Sequence, residues 1–305
     1  MNKIVITTGD PNGIGAEITI KALNKLDLDT DKIAIISNKK ILDYYGKLNK
    51  QYEIIEVPFE SDIQTGKITK ESGEFSYQSL KLACEINPKG IVTAPVAKNA
   101  LHLAGHKFNG QTEILQKFLA KDNQHAEMLF VADNFRVLLL TRHLPLKEIN
   151  LTKETVIKKI IDLNEFFINK FKIKNPKFAL CGFNPHAGED GILGREEIEI
   201  LQPAVEILRK SGVNITNPLP ADTLFTQVRN EDNKWQADYD CFIANYHDQG
   251  LIPIKTLAGK RTVNMTIGLD IIRTSPGHGT AFDIAGKNIA DETGMVCAIE
   301  EIYSK

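Results

Sequence analysis

The chain has 305 residues, of which 42% are hydrophobic and 25% charged, and its 37 Lys and Arg against 39 Asp and Glu leave a formal net charge of -2. This globular balance excludes a polybasic nucleic-acid domain and a polybasic membrane-surface segment, while a local cationic pocket for a small anion stays open. No run nears the roughly 18 apolar residues of a membrane helix, the N-terminal MNKIVITTGD lacks a signal peptide's long apolar region, and the four cysteines form no CxxC pair, so a reducing cytoplasmic setting is expected.

Apolar periodicity predicts the elements in chain order. KIVITTG (3–9) reads as a strand and IGAEITIKALNKL (14–26) as a helix. KIAIIS (32–37) is a second strand, followed by a helical KKILDYYGKL (39–48). KGIVTAPV (89–96) is a strand running into a loop, and EILQKFLAKD (113–122) is a helix. EMLFVAD (127–133) and FRVLLLT (135–141) form a strand pair across a turn at Asn134. Residues 153–171 are a long helix, and KFALCGFNP (177–185) is a strand ending in a loop. GREEIEILQPAVEILRKSG (194–212) is a helix with a glycine past its end. YDCFIANYHD (239–248) is a buried strand entering a polar loop, RTVNMTIG (261–268) is a strand, and the last helix falls within 289–303. Strands alternating with helices predict an α/β fold with a largely parallel sheet. The pair at 127–141 marks a seam between two lobes.

In open α/β sheets, ligands bind at the C-terminal ends of strands. Three of the seven histidines lie there: His143 after FRVLLLT, His186 after KFALCGF and His247 after DCFIAN. One such histidine is usually structural. Three in equivalent places point to a divalent metal, because neutral imidazoles suit Zn and its neighbours and three protein ligands leave a position open for substrate. His102, His106 and His125 lie in polar turns and are expected at the surface. His278 sits among glycines in SPGHGTAFDIAGK, ahead of an expected helix start, and fits either a ligand-contacting loop or a tight loop alone.

GDPNGIG (9–15) matches neither GxGxxG nor a phosphate-binding GxxxxGK[ST] loop. Asp10 or Asn12 is expected to cap the helix behind it, and the loop could also line a cleft. Gln111 and Thr112 precede a helix, so Thr112 is expected to cap it and offer amides to a phosphate. Lys255, Asn264 and Arg273 sit beside polar strand ends and are further candidates for holding an anion.

These segments together resemble a known family. GDPNGIG, TAPVAK (93–98), NGQTE (109–113), TRHLPL (141–146), GFNPHAGE (182–189), LPADTLF (219–225), YHDQGL (246–251), VNMTIG (263–268) and IRTSPGHGTAFDIAG (272–286) follow, in order and nearly end to end, the pattern of the PdxA family of 4-hydroxythreonine-4-phosphate dehydrogenases in vitamin B6 biosynthesis. The resemblance implies a two-lobed α/β/α fold of the isocitrate and isopropylmalate dehydrogenase type. Its sheet would be mostly parallel with some antiparallel strands, and its active site would lie in the interlobe cleft. One lobe would span 1–130 plus 270–305, and the other, with the histidines and the dimer interface, 131–269. The resemblance also implies a homodimer with shared active sites and a metal on His143, His186 and His247 drawn from both subunits. Zn is the expected ion, with Mg, Mn or Co as alternatives.

Substrate would be held by Gln111, Thr112, Lys255, Asn264 and Arg273. NAD or NADP would be held by the loop with His278, Thr280 and Asp283. Lys255, Asp222 and Asp248 are the candidate proton acceptors, and Asp248 could instead orient a neighbouring ligand. One position departs from the family, which usually has His where this chain has Gln111. Gln cannot become cationic, so oxidation of another four-carbon acid phosphate, threonate or erythronate 4-phosphate, stays open. A metal-dependent phosphatase or hydrolase, and a non-catalytic phosphometabolite-binding protein, are the rival readings.

Overall fold

The computed structural model describes residues 2–122 and 124–304. Along the chain the strands are β1 (Ile4–Thr7), β2 (Ile33–Ser37), β3 (Glu53–Glu56), β4 (Gly90–Thr93), β5 (Glu127–Ala132), β6 (Phe135–Leu139) and β7 (Lys177–Leu180). They continue with β8 (Asn214–Ile215), β9 (Arg229–Glu231), β10 (Lys234–Gln236), β11 (Cys241–Ala244), β12 (Val263–Ile267) and β13 (Ile272–Pro276). The helices are α1 (Gly15–Lys25), α2 (Lys39–Tyr45), α3 (Lys70–Glu85), α4 (Lys98–Leu103) and α5 (Gln111–Leu119). Beyond them come α6 (Lys153–Asn169), α7 (Gln202–Lys210), α8 (Ala221–Leu224), α9 (His247–Ala258) and α10 (Thr293–Tyr303). No helix among the described residues is long and apolar enough to cross a membrane.

The chain divides into two compact units. The first runs through Glu127 and resumes at Val263–Ser304. Its strands lie in the order β3-β2-β1-β4-β13-β12, all parallel except the β12–β13 pair. IVIT and IAIIS are buried along their whole length, as a parallel strand covered on both faces must be. Val5, Ile36 and Ile91 on the strands pack with Phe75 of α3 and Leu115 of α5. The second unit is Met128–Thr262; its strands in the large sheet lie in the order β5-β6-β11-β7-β8, antiparallel at the β5–β6 hairpin, and β9 and β10 form a separate antiparallel pair. Phe135 and Phe242 meet edge to face in its core, their centroids 5.6 Å apart, with Leu139, Leu251 and Ile254 around them.

Several local readings change. Neither Asp10 nor Asn12 caps α1, because Ile14 occupies the N-cap and has no side chain that can accept. Asp10 Oδ1 instead accepts the Asn12 N–H at 2.9 Å, and Asn12 clasps residues 64–69 through Gln64, Lys67 and Thr69. Gly9 (φ 72°) allows this loop to lie against the Pro95 carbonyl, into which any Cβ would run. Thr112 is likewise no cap: Gly110 is the N-cap of α5 and Thr112 is its second residue. The polar loop expected after β11 is short, because His247 already begins α9. The helix expected over 194–212 opens as a π turn, Glu197–Leu201, before α7. No helix follows His278 directly; residues 282–288 are turns.

Candidate active site

The first unit buries a cation. Arg273, on β13, is 3% exposed. Its register partner Thr266 on β12 lies on the same face of the sheet. The guanidinium is held by neutral acceptors only. Nε and Nη2 both donate to Thr93 Oγ1, at 2.9 and 2.6 Å. Nη2 also donates to Gln111 Oε1 at 3.1 Å, and Nη1 to Thr266 Oγ1 at 3.5 Å. No carboxylate pairs with it among the described residues. Burial pulls the guanidinium down to about 9. A buried charge without a counterion is costly, which makes Arg273 a candidate anion site.

Two neighbours extend this group. Thr93 ends β4, and Gln111 begins α5, whose first amides have no intrahelical acceptor and favour an anion. Glu113 closes that end by accepting from Asn109 N–H at 2.7 Å and Asn109 Nδ2 at 2.9 Å. Gln111 is already engaged at both ends: Nε2 donates to the Ala94 carbonyl at 3.0 Å while Oε1 faces the guanidinium. Gln111 thus braces Arg273 and keeps one N–H for a further acceptor. Asn264, on β12 in register with Ser275, has a buried Oδ1 with no hydrogen-bond partner.

The second unit carries the histidines. His143 is exposed in the turn after β6, and its ring centroid lies 5.4 Å from that of His247. His247 Nδ1 is hydrogen-bonded to Asp248 Oδ1 at 2.6 Å, so Nε2 is the nitrogen left to act as a ligand. Gln249 fixes this corner by accepting the Asn245 N–H at 2.7 Å and donating to the Gly182 carbonyl at 2.7 Å. His186 is exposed in a separate turn between β7 and α7. Among the described residues no three His, Cys, Asp or Glu side chains lie close enough to hold one ion. One chain therefore pairs His143 with His247 and leaves His186 outside the pair. The donor chemistry suits a transition-metal ion, and the pair alone does not complete a three-ligand set.

The remaining residues scatter. Asp222 is exposed on α8 and Lys255 is exposed on α9. His278 is exposed, its Nδ1 3.0 Å from the Gly279 carbonyl. The Thr280 carbonyl accepts the Ile14 N–H at 3.1 Å, which ties this loop to the glycine-rich turn after β1. Asp283 is exposed in the following turn. His106 is not the free surface residue expected: it stacks on Tyr77 at 3.5 Å between centroids and meets Glu74 Oε2 at 2.8 Å. Sequence reasoning missed Thr93 and Glu197; the TAPVAK segment was a signal for the first, and none marked the second.

A family model described as "Pyridoxal phosphate biosynthetic protein PdxA" matches residues 2–302. The chain belongs to the PdxA family. It is 38% identical over 322 residues to the 4-hydroxythreonine-4-phosphate dehydrogenase of Sulfurihydrogenibium sp., covering 98% of this chain and 97% of that one. It is 35% identical over 324 residues to the D-threonate 4-phosphate dehydrogenase of Salmonella typhimurium, covering 97% of each. The crystal structure of the Klebsiella pneumoniae 4-hydroxythreonine-4-phosphate dehydrogenase superposes with a TM-score of 0.86 at 32% identity, over 100% of this chain and 99% of that one. An isocitrate dehydrogenase from Methylococcus capsulatus, 14% identical with a TM-score of 0.52, shares the fold alone. The expected fold class thus stands, and PdxA relatives supply the frame in which the site is read.

Proposed function

We propose that this PdxA-family chain oxidises the secondary alcohol of 4-phosphohydroxy-L-threonine with NAD or NADP, giving the 3-oxo acid, which loses CO2 to yield 3-amino-2-oxopropyl phosphate. The observation that carries this reading is Arg273, a buried guanidinium with hydroxyl and amide acceptors and no carboxylate partner among the described residues. It is fitted to the phosphate end of such a substrate. The first amides of α5, at Gln111 and Thr112, add donors to the same anion. Asn264 offers its unpartnered Oδ1 to a donor on the substrate, such as its hydroxyl or ammonium group. Lys255 would hold the carboxylate.

His143, His186 and His247 would hold the divalent ion, with Zn first and Mg, Mn or Co as alternatives. Because one chain pairs only two of them, the set would be completed in a homodimer. When bound, such an ion supplies Lewis acidity at an alcohol oxygen, and nicotinamide supplies the hydride acceptor. Asp248 accepts from His247 and so orients that ring. Asp222 then remains as the group to receive the alcohol proton, and Lys255 would take that role only in place of holding the carboxylate. His278, Thr280 and Asp283 are proposed cofactor contacts. Their loop is fixed at Thr280 by the Ile14 amide.

Gln111 gives the second reading its footing. A neutral brace where the family usually has His fits a related four-carbon acid phosphate, such as D-threonate 4-phosphate. A relative of that name covers 97% of the chain. One assay separates the readings. Purified protein, divalent metal and NAD+ or NADP+ are mixed with 4-phosphohydroxy-L-threonine, or with threonate or erythronate 4-phosphate, and read at 340 nm. Turnover of the amino acid phosphate with the highest kcat/KM is expected. Preference for a hydroxy acid phosphate moves the assignment to that class. Phosphate release without nucleotide, or no reduced nicotinamide with any of the three, overturns the dehydrogenase reading.

A further inference from the structure

The turn that carries His186 is built from left-handed backbone. From His186 to Gly191 every φ is positive: 51°, 51°, 83°, 43°, 53° and 91°. Four of these six residues carry a Cβ, which this region crowds against the following carbonyl oxygen. Bonds at its two ends tie it to the flanking chain. Ala187 N–H reaches Asn184 O at 3.2 Å, Ile192 N–H reaches Glu189 O at 3.1 Å and Leu193 N–H reaches Gly188 O at 3.1 Å. Backbone like this persists only where its surroundings over-determine it.

The surroundings centre on Glu197, the first residue of the π turn, which is 1% exposed. Its Oε1 accepts the Asn184 N–H at 2.8 Å and its Oε2 accepts Asn184 Nδ2 at 2.9 Å. Glu196 Oε2 takes a second bond from Asn184 Nδ2 at 2.6 Å. The carboxylate lies directly under the left-handed run: a Cβ added at Gly188 would sit 2.7 Å from Glu197 Oε2. On the other side, a Cβ at Gly182 would sit 2.8 Å from Ala187 Cα. The residue before Pro185 is therefore pinned to the Glu197 carboxylate by two bonds, and the residue two past His186 is pressed on the same carboxylate. Glutamine cannot replace this anchor, since it has one acceptor oxygen and Asn184 presents donors from two atoms. No Lys, Arg or His pairs with Glu197 among the described residues. A buried carboxylate served only by neutral donors is expensive, so its retention calls for a role beyond packing.

We propose that Glu197 is a positioning residue for His186: through Asn184 and Gly188 it holds the left-handed turn that aims the His186 imidazole at the metal. This rests on the reading of His186 as a ligand. The test is Zn2+ titration of the metal-free full-length protein against a chromophoric chelator, with melting temperature and circular dichroism read in parallel. Glu197→Gln is expected to weaken Zn2+ binding by about 10- to 100-fold, the usual effect of losing a group that orients a ligand. Gly188→Ala, which pushes on the same carboxylate, is expected to act in the same direction, and decides the matter if Glu197→Gln does not fold. In a His186→Ala background neither change should cost further affinity, because the ligand they aim is gone. Equal losses in both backgrounds, or no loss in either variant, overturn the proposal. If His186→Ala itself leaves Zn2+ affinity unchanged, the assignment of His186 as a ligand fails and the proposal falls with it. A loss in His186→Ala without one in Gly188→Ala and Glu197→Gln overturns the proposal alone.

Discussion

Arg273 and Gln111 hold each other in place: Nη2 donates to Oε1 at 3.1 Å, while Gln111 Nε2 is tied to the Ala94 carbonyl at 3.0 Å. The direction of the amide follows from chemistry, since a guanidinium has only donors and must face an oxygen. Thr93 completes the brace by taking two of the five guanidinium N–H groups. Arg273 thus has its plane fixed before any anion arrives, and preorganisation of this kind lowers the ordering cost of binding.

Removing the brace should weaken substrate binding more than it slows the chemistry. A hydrogen bond to a charged group contributes about 1.5–3 kcal/mol, or roughly 10- to 100-fold in an equilibrium. Thr93→Val is expected to raise KM for the phosphorylated substrate within that range and to leave kcat within a few-fold. Thr93→Ser, which keeps the hydroxyl, should restore KM. Steady-state kinetics on the three proteins checks this; a fall in kcat at constant KM would contradict it.

Position 111 also controls how the site responds to pH. Gln111 does not titrate, whereas Gln111→His places an imidazole of ordinary value near 6.5 beside Arg273. Protonation would add a second cation, so the variant should bind a phosphate dianion better as pH falls from 8 toward 6. The ratio of variant to wild-type KM removes the substrate's own titration, and it should decrease toward acid. A ratio flat across that range would show that the introduced imidazole does not charge there or does not reach the substrate.

Much of the frame was legible because periodicity is local. The strands IVIT, IAIIS and CFIA and the helices after residues 14 and 152 come straight from apolar spacing. What escaped has definite causes. Helix α9 contains Pro253 and Gly250, so HDQGLIPIK reads as a loop. Gly250 is tolerated because its bare Cα lies against Val137 and Leu139, where a Cβ would collide. Strand β13 hides in IRTSP, whose Thr, Ser and Pro look like a turn, and so Arg273 was read beside a strand rather than on one. The Arg273 contacts to Thr93 and Gln111 span 180 and 162 residues, and no local pattern encodes them. The left-handed turn at His186 carries no apolar spacing to read: Gly182 lies against Ala187 on one side, and Gly188 within the turn lies against Glu197 on the other.

Asp248 offers a test of the histidine pair. With Oδ1 2.6 Å from His247 Nδ1, it selects the tautomer whose Nε2 carries the lone pair. Asp248→Asn keeps the size and removes the charge-assisted bond. It should reduce Zn2+ affinity by about 10- to 100-fold, with the melting temperature of the metal-free protein little changed. Unaltered Zn2+ affinity by chelator competition would show that the Asp248 contact does not serve a ligand.

Asp10 predicts a pH signature in stability that involves no ligand. Burial raises its carboxyl from 3.8 to about 6, against the opposing bonds from Asn12, Ser72 and the Ala97 backbone. A carboxyl raised in the folded state favours its neutral form there. Its contribution is therefore fully present below the unfolded value, declines as pH rises and is lost above about 6. At 1.36 kcal/mol per unit, the window from 3.8 to 6 amounts to about 3 kcal/mol. Asp10→Asn removes this term and leaves every other titration in place. The melting temperature of the variant relative to wild type should climb between pH 4 and 6 and be level from there to pH 8. Any constant offset reports only how well the amide fits the loop. Parallel curves across the whole range would show that Asp10 titrates in the fold as it does in the unfolded chain.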